Sequence, residues 1–436
     1  MIYTFVYLDT PKFIGELKQD KLQIMRILMI GLDLNPPWVE GIRNTVKSLS
    51  QNLIKHQHKI FALTKGSGNQ LNIEFVEGIK YLRINIGHST NYSSGMFVFL
   101  AKLPMKLIKT IKDEKIDIIH GHSVSPVLGI ILGICSKIMG VKSVFTLYSS
   151  PSNKNKDSYY PKIMNILNPS KSELLTKILC IFTDVIVVTS NAAKRSLISI
   201  GIRENKVKYV PVGIDLTVFK PLNRPNEIKN KLNIPSDRKI ILFAGDITPW
   251  KGLDIFLKSI STVSSKYENI LCIIMTKNIY KYEKKRREEI DELIKLNDIE
   301  KYIHIIGQYN NIQEIYGISD IVVFPFITLF SVMDISILMD TPLSLLEAMA
   351  TGKPVIASDV GSFDEVITNL ENGLLIQPNN EFELAEAIIN LLENPILCKN
   401  LSDNARKSVI KKYDIKIISF KLENLYKGLI HGGITL

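Results

Sequence analysis

The sequence lacks the residue patterns that bind structural zinc, build disulfide frameworks or cross a membrane. Its four cysteines are widely spaced and form no Cys-x-x-Cys pair, so neither a zinc site nor a disulfide framework is suggested. A reducing cytoplasm is therefore the expected compartment. No apolar run reaches the ~18 residues that a spanning helix needs, so we expect no transmembrane segment.

The N-terminus lacks the features of a secretory signal. Residues 1–24 have no basic start, apolar centre or small-residue cleavage site. A second methionine, Met25, stands directly before the apolar run Arg26–Leu32, which we predict to be the first core strand. We expect residues 1–24 to be an extension, or the result of a misassigned start.

Length and charge set broad limits on the function. The chain has 436 residues, of which 46% are hydrophobic, and this length favours about two or three globular domains. The net charge of +11 favours anionic partners such as nucleotides, nucleic acid or an acidic membrane surface. A lysine-rich solvated surface explains the same charge equally well, and we interpret the basic run in 281–298 in that way.

Apolar runs of strand length alternate with amphipathic stretches of helix length. The pattern occurs once over residues 26–190 and starts again at Lys239–Asp246. Continuous apolar strands separated by helices indicate parallel sheets covered on both faces. We therefore predict an α/β protein with two Rossmann-like halves, and we interpret the polar stretch Lys220–Arg238 as the linker region between them.

Neither half has a Gly-x-Gly-x-x-Gly turn after its first strand, which argues against a dehydrogenase. Ligands of open α/β sheets bind beyond the carboxyl ends of the strands. The candidate positions are therefore Glu40–Gly41, His120–His122, Asp246–Lys251 and the helix that opens near Pro342.

Glu347 is a single carboxylate in the apolar helix that Asp340-Thr341-Pro342 opens. Proline suits the first turn of a helix, and the free amides there form an anion site. Glu347 lies on or near the same side as Leu343, so we expect it to be buried and to need a partner. A ligand hydroxyl such as a ribose diol would serve; an exposed or salt-bridged glutamate is the alternative.

Several segments together resemble the large retaining glycosyltransferase family 4, which has the GT-B fold. The stretch "PLSLLEAMATGKPVIASDVGSFDEVITNLENGLLIQP" resembles the family's nucleotide-sugar-binding segment. In order along the chain, "PPWVEG" resembles its N-terminal glycine loop, "DIIHGHS" its active-site histidine strand, and "LFAGDITPWKG" its diphosphate-binding loop. The resemblance covers roughly residues 25–430.

The resemblance implies a GT-B architecture of two Rossmann-like domains that face a central cleft. The N-terminal acceptor domain would span 25–215 and be completed by a C-terminal helix in 412–436. The nucleotide-sugar domain would span 216–411.

The resemblance also implies roles for individual residues. Glu347 would bind the donor ribose, and Lys251 would neutralise the donor diphosphate. Gly41 would let backbone amides reach a phosphate, and His122 would contact the donor sugar near the reaction centre. We expect His120 to be structural.

Two departures from the family pattern concern the donor. Met339 stands where the family has its first glutamate, and Asp340 follows it, so we predict that Asp340 reaches the sugar hydroxyls. Asp246 stands where an arginine is common; we expect its carboxylate to point away from a diphosphate or to bind another group, with Arg43 or another cation supplying the missing charge. Glu40 replaces a common glycine.

The implied chemistry is transfer with retention of anomeric configuration. Charge develops on the departing diphosphate, and Lys251 with helix amides can stabilise it. The sequence has no Asp-x-Asp motif of the kind that clamps a metal, so we predict no metal and no cofactor beyond the nucleotide-diphosphate sugar. A dedicated protein nucleophile is not required by the resemblance.

The sequence leaves the acceptor and two alternative functions open. The acceptor could be a glycan, as in polysaccharide biosynthesis, a lipid-linked molecule or a small molecule; nucleic acid is not expected. A GT-B nucleotide-sugar epimerase or a non-catalytic GT-B binding module are the alternatives. The stretch Asn91–Lys115 interleaves aromatic and lysine residues, which is typical either of peripheral binding to an anionic membrane or of a core helix with solvated lysines.

Overall fold

Two sheets organise the residues that the computed structural model describes, which are 24–36, 41–66, 68, 70–87, 92–151, 169–275, 283–307, 309–327, 337–339 and 342–432. Within these ranges the first sheet has eight strands in the order β3-β4-β2-β1-β5-β6-β8-β9. They are β1 Arg26–Ile30, β2 Lys59–Gly66, β3 Ile73–Val76, β4 Ile79–Asn85, β5 Ile118–Ser123, β6 Lys142–Leu147, β8 Val185–Val188 and β9 Val207–Tyr209. All of their pairings are parallel except that of β3 with β4.

The second sheet is parallel throughout its described strands. Its six strands have the order β12-β11-β10-β13-β15-β16. They are β10 Lys239–Phe243, β11 Ile270–Met275, β12 Ile303–Ile306, β13 Ile321–Phe324, β15 Val355–Ser358 and β16 Leu374–Ile376.

Helices cover both faces of each sheet. Those that precede the second sheet in the chain are α1 Gly41–Lys55, α2 Tyr92–Asp113, α3 Pro126–Met139, α4 Pro169–Phe182, α5 Asn191–Ser199 and α6 Pro225–Lys231. The others are α7 Leu253–Ser264, α8 Glu283–Leu296, α9 Ile312–Ile318, α10 Leu343–Ala350, α11 Glu381–Glu393, α12 Pro395–Lys412 and α13 Ile415–His431.

Alternating residues of the first strand enter two different cores. Leu28 and Ile30 belong to the cluster that includes side chains of α2, α3 and α4, whereas Ile27 and Met29 belong to the cluster with α1 and α13. Successive strand residues point to opposite faces, so an all-apolar strand requires cover on both sides. The prediction of an α/β fold with two Rossmann-like halves is confirmed.

The end of the chain returns to the first half. Helix α13 packs against α1, and its buried side chains, including Tyr426, join the core beneath the first sheet. Near this crossing, Ile214 forms a bridge with Asp414, which immediately precedes α13. The first half is therefore built from both ends of the described chain.

The predicted linker region proves to be part of the second half. Helix α6 lies within Lys220–Arg238 and packs against α9, with Ile228 and Leu232 against the second core. These two apolar residues are four positions apart and so share one helix face. The stretch that we interpreted as the linker region therefore includes a helix that packs on the core of the second half.

A short ribbon joins the two halves. Along the chain, strand β7, Ser149–Pro151, follows β6 of the first sheet. Strand β14, Ile337–Met339, comes after β13 and before β15 of the second sheet. The two strands pair antiparallel, with Met339 opposite Ser149. Among the described helices, none is both long and apolar enough to cross a bilayer.

Candidate active site

The loop after β10 is fixed by a glycine that no other residue can replace without strain. Gly252 has a φ of +74°, and a Cβ at this position would lie 1.7 Å from the carbonyl oxygen of Pro325. Pro325 directly follows β13, so the loop rests on the carboxyl end of the neighbouring strand. The backbone of Ile327 also donates to the carbonyl of Trp250 at 3.1 Å. The loop therefore has one backbone path.

Lys251 lies at the end of this loop, beside the start of α7. Its ammonium nitrogen is 4.1 Å from the centroid of the Phe326 ring, a cation–π distance. Phe326 is fully buried in a core cluster that also contains Leu345 and Leu346 of α10. One hydrophobic cluster thus supports both the lysine and the helix that carries Glu347.

Asp246 is engaged within its own loop. Its Oδ1 accepts a hydrogen bond from the Thr248 amide at 3.0 Å and another from the Thr248 hydroxyl. The carboxylate thereby stabilises the turn that leads to Lys251, which is the type of local bond that aspartate favours in turns. Arg43 lies in the other half, where it forms an ion pair of 2.6 Å with Asp33.

Glu347 is buried on α10 and has a protein partner. Glu347 is only 6% exposed, and the Tyr316 hydroxyl donates a hydrogen bond to its Oε2 at 3.3 Å. Burial first, and then the Glu347 charge, raise the pKa of Tyr316 well above its ordinary value. The hydroxyl partner that we expected from a ligand is thus supplied in part by a tyrosine of α9.

The two histidines of β5 have different surroundings. His120 is fully buried and uses both ring nitrogens, Nδ1 with the Tyr426 hydroxyl at 2.5 Å and Nε2 with the Thr146 hydroxyl at 2.7 Å. His122 has the Tyr148 hydroxyl at 3.2 Å from Nδ1, while its buried Nε2 has no hydrogen-bond partner among the described residues. His120 has the structural surroundings that we expected, and His122 keeps one nitrogen for another contact.

Burial keeps both imidazoles neutral. It lowers the pKa of His122 to about 3 and, together with the nearby His122 ring, lowers that of His120 well below its ordinary value. His122 and Thr189, whose hydroxyl also has no partner among the described residues, line a cavity of about 20 Å³. A cavity of this size holds about one water, or one ligand oxygen.

The ribbon brings the two halves of the site together. Tyr148, which contacts His122, directly precedes Ser149 of β7, and Ser149 lies opposite Met339 of β14. Asp340, the next residue, lies outside the described residues, as does Glu40. His122 is therefore connected to Met339 through its side-chain contact with Tyr148 and the backbone pairing of β7 with β14.

Gly41 stands apart from this packing. It is the first residue of α1, is exposed, and has no atom of another described part of the chain within 4 Å of the position that a Cβ would occupy. It presents a helix N-terminus but does not itself fix a close approach. Its implied role at a phosphate stays a prediction.

Helix α2 forms most of the predicted amphipathic segment, Asn91–Lys115, and its apolar residues fall into a buried set and an exposed set. Phe99, Leu103 and Leu107 are fully buried in the core of the first half. Phe97 and Met105 are 54% and 75% exposed. One set of apolar residues on α2 is therefore buried in the core, and the smaller set of Phe97 and Met105 is exposed.

Three site residues were not found by sequence reasoning. Tyr148 could have been found, because it directly follows a parallel strand, where ligand-binding residues cluster. No sequence pattern indicates Tyr316 or Glu365, because each forms its hydrogen bond with a residue that is distant in the chain. Glu365 accepts from the amides of Asn191 and Ala192 at 2.7 and 2.6 Å, and so joins the second half to the N-terminus of α5.

Two family profiles match consecutive parts of the chain. The profile described as Glycosyltransferase Family 4 matches residues 39–218, and the one described as Glycosyl transferases group 1 matches residues 225–408. Together with the two Rossmann-like halves, these matches define a glycosyltransferase of the GT-B class. The chain belongs to glycosyltransferase family 4.

Curated relatives are similar over most of the chain. An uncharacterised glycosyltransferase of Methanocaldococcus jannaschii is 24% identical over 92% of this chain and 98% of its own length. The Escherichia coli UDP-Gal:alpha-D-GlcNAc-diphosphoundecaprenol alpha-1,3-galactosyltransferase is 23% identical over 75% of this chain and 79% of its own length.

Solved structures agree on the fold. Sucrose-phosphate synthase from Thermosynechococcus elongatus has a TM-score of 0.78 at 19% identity, covering 94% of this chain and 100% of the other. Anabaena HepE in complex with UDP-glucose has a TM-score of 0.74 at 17% identity, covering 93% of this chain and 100% of the other. The predicted GT-B fold is confirmed.

Proposed function

We propose that this glycosyltransferase retains anomeric configuration and transfers a sugar from a UDP-sugar to a lipid-linked acceptor without a metal ion. The observation that carries the proposal is the shared cluster beneath Lys251 and α10, which holds a cation and the buried carboxylate of Glu347 at one end of the second sheet. A cation and a ribose-binding acid are what a nucleotide diphosphate needs.

The choice of UDP rests on similar proteins. The Escherichia coli relative is named for UDP-Gal, and the HepE structure contains UDP-glucose. Glu347 would accept hydrogen bonds from the ribose hydroxyls, since a carboxylate has about four acceptor sites. Asp340 would contact the sugar hydroxyls in place of the glutamate that Met339 replaces.

The chemistry requires stabilisation of negative charge on the departing diphosphate. Lys251 supplies a full positive charge, and the N-terminal amides of α10 supply partial charge at the same edge. Preorganised groups of this kind replace the metal clamp, so we propose that no metal takes part. His122 would donate or accept a hydrogen bond at the sugar through Nε2.

The acceptor proposal rests on the outer surface of α2, α3 and α4, which pack side by side. We call this surface the helical face. Its exposed apolar residues are Phe97, Met105, Ile134, Ile138, Leu174 and Ile181, and its exposed lysines include Lys102, Lys109, Lys112, Lys137 and Lys177. Apolar residues with surrounding lysines suit an anionic bilayer surface, where a lipid-linked acceptor would be met.

Incubation with labelled UDP-sugars and polyprenyl-diphosphate-linked acceptors tests the reaction. We expect transfer or slow donor hydrolysis, with an α-linked product from an α-linked donor by NMR, and no loss of rate in EDTA. A product of inverted configuration, or a strict metal requirement, would refute the corresponding part. An epimerised donor without transfer would favour the epimerase alternative.

Vesicle co-sedimentation tests the helical face separately. We expect salt-sensitive binding of the protein to anionic vesicles and none to neutral ones. Met105→Ser should weaken this binding, whereas Ile396→Ser on α12 should not; both native residues are 75% exposed. Protein that stays in the supernatant with anionic vesicles at low salt would refute the membrane proposal and leave the transferase proposal intact.

A further inference from the structure

A single described side-chain hydrogen bond orients the His122 ring. That bond joins Nδ1 to the Tyr148 hydroxyl over 3.2 Å, whereas His120, two residues earlier on β5, is held at both nitrogens. The ring centroids of the two histidines are 4.0 Å apart, so the His120 ring packs against one side of the His122 ring. Tyr148 thus decides which nitrogen of His122 is left for another contact.

The chemistry of the pair indicates where the proton lies. Since burial keeps the His122 ring neutral, one ring nitrogen is a donor and the other an acceptor. An imidazole nitrogen is a stronger acceptor than a phenol oxygen, which favours the Tyr148 hydroxyl as donor and Nδ1 as acceptor. This arrangement would leave the proton on Nε2, and His122 lines a cavity together with Thr189.

Tyr148 is also a contact between the two halves. Although it follows a strand of the first sheet, its ring packs against the core cluster of the second half. The next residue, Ser149, is paired with Met339 just before the donor segment. The position of the hydroxyl therefore depends on how the second half is placed.

We propose that Tyr148 is a positioning residue that holds His122 in the Nε2–H tautomer and couples this orientation to the contact between the two halves. The proposal rests on the proposed function, in which Nε2 faces the donor sugar. Substitution of Tyr148 should therefore alter His122 and turnover, while donor binding at Lys251 and Glu347 stays intact.

The test combines spectroscopy with a double-mutant cycle. In ¹⁵N-histidine-labelled full-length protein, Tyr148→Phe should move the His122 nitrogens away from the Nε2–H pattern, with His122→Ala identifying the signals. We expect kcat to fall about tenfold, the effect of losing one hydrogen bond, with donor KM nearly unchanged. Tyr267→Phe, which removes a hydroxyl bonded to the exposed Glu393 at 2.6 Å, is the matched control.

Tyr148→Phe should add nothing in the His122→Ala background, because the tyrosine acts through the histidine. An equal fall in kcat in both backgrounds would overturn the proposal. An unchanged His122 tautomer in Tyr148→Phe would overturn it whether or not the protein transfers sugar, since NMR needs no turnover. Absence of transfer by the native protein, together with a shifted tautomer in Tyr148→Phe, would instead refute the proposed function alone.

Discussion

The two halves of the molecule begin alike, with a strand followed by a helix that has a glycine at its start. In the second half, Gly252 has a φ of +74°, and a Cβ on it would meet the Pro325 carbonyl. In the first half, no described residue beyond α1 lies within 4 Å of the position that a Cβ of Gly41 would occupy. Among the described residues, the glycine is therefore closely packed in one half and not in the other.

The difference shows how each half can contribute to the reaction. A diphosphate needs a cation in a fixed position. The loop that carries Lys251 is fixed by the close approach of Gly252 to Pro325 and by the hydrogen bonds between Asp246 and Thr248. Fixed groups stabilise developing charge without reorganisation. The described residues supply no comparable packing contact at Gly41, so we expect a change there to cost less.

Substitution of Gly252 should have the largest effect. An alanine at positive φ costs about 1–2 kcal/mol, and the overlap with Pro325 adds to this, so we expect a loss of at least about 3 kcal/mol in unfolding free energy. Urea unfolding measures it. Gly352→Ala is the control, since its φ is +70° but its nearest contact is 3.6 Å; equal losses would show that φ alone matters.

Removal of the Lys251 charge should have the next largest effect. Lys251→Met keeps an apolar side chain over Phe326, so we expect normal stability and a fall in kcat/KM of about a hundredfold. Steady-state kinetics with a UDP-sugar give the ratio. The exposed Lys258→Met on α7 is the matched control, and a similar fall there would indicate a general charge effect.

Glu347→Gln should weaken UDP binding about ten- to a hundredfold, because a charged hydrogen bond is worth about 1.5–3 kcal/mol. Isothermal titration calorimetry measures the change. Glutamine retains an acceptor for the Tyr316 hydroxyl, so the fold should survive. Unchanged affinity would refute the ribose role of Glu347, and Tyr316→Phe tests whether the tyrosine contributes separately.

Glu365→Gln should loosen the contact between the halves. The carboxylate accepts from two amides of α5, at 2.6 and 2.7 Å, and glutamine offers only one acceptor oxygen. We expect a larger radius of gyration by small-angle scattering and a fall in kcat of about fivefold, since a charge-assisted bond is lost. Glu371→Gln, at an exposed site, should change neither quantity.

Gly41→Ala should have the smallest effect. Since no described residue beyond α1 lies within 4 Å of the new methyl group, the unfolding free energy should change by less than about 0.5 kcal/mol. If the amides of α1 approach a phosphate, donor KM should rise about two- to threefold. A large loss of stability would contradict the difference between the two loops that the structure shows.

Much of the fold was predictable because its patterns are local. β1 and β10 are continuous apolar runs, and such strands must be buried on both faces. Lys251 and Glu347 were proposed because each lies in a short segment with a family resemblance. The helix within Lys220–Arg238 was not predicted, because its two apolar residues, Ile228 and Leu232, are anchored only once α9 is present to receive them.

The partners of the site residues could not be predicted. Tyr316 is 31 positions from Glu347, and Glu365 is 174 positions from Asn191. Such pairs depend on how sheets and helices pack rather than on any local pattern. Likewise, the periodicity of α2 permitted either a membrane surface or a core, and packing on the first sheet assigned Phe99, Leu103 and Leu107 to the core.

The sequence by itself determined the class of fold and the repeat of two α/β halves. These follow from the hydrophobic period, which is a property of neighbouring residues, whereas the roles predicted for Lys251 and Glu347 follow from the resemblance to the family. Only the tertiary structure decided that Tyr148 contacts His122, that Met339 lies beside Ser149, and that Gly252 tolerates no side chain. These contacts join residues that are not neighbours in the chain, and close packing within each half and between the halves selects them.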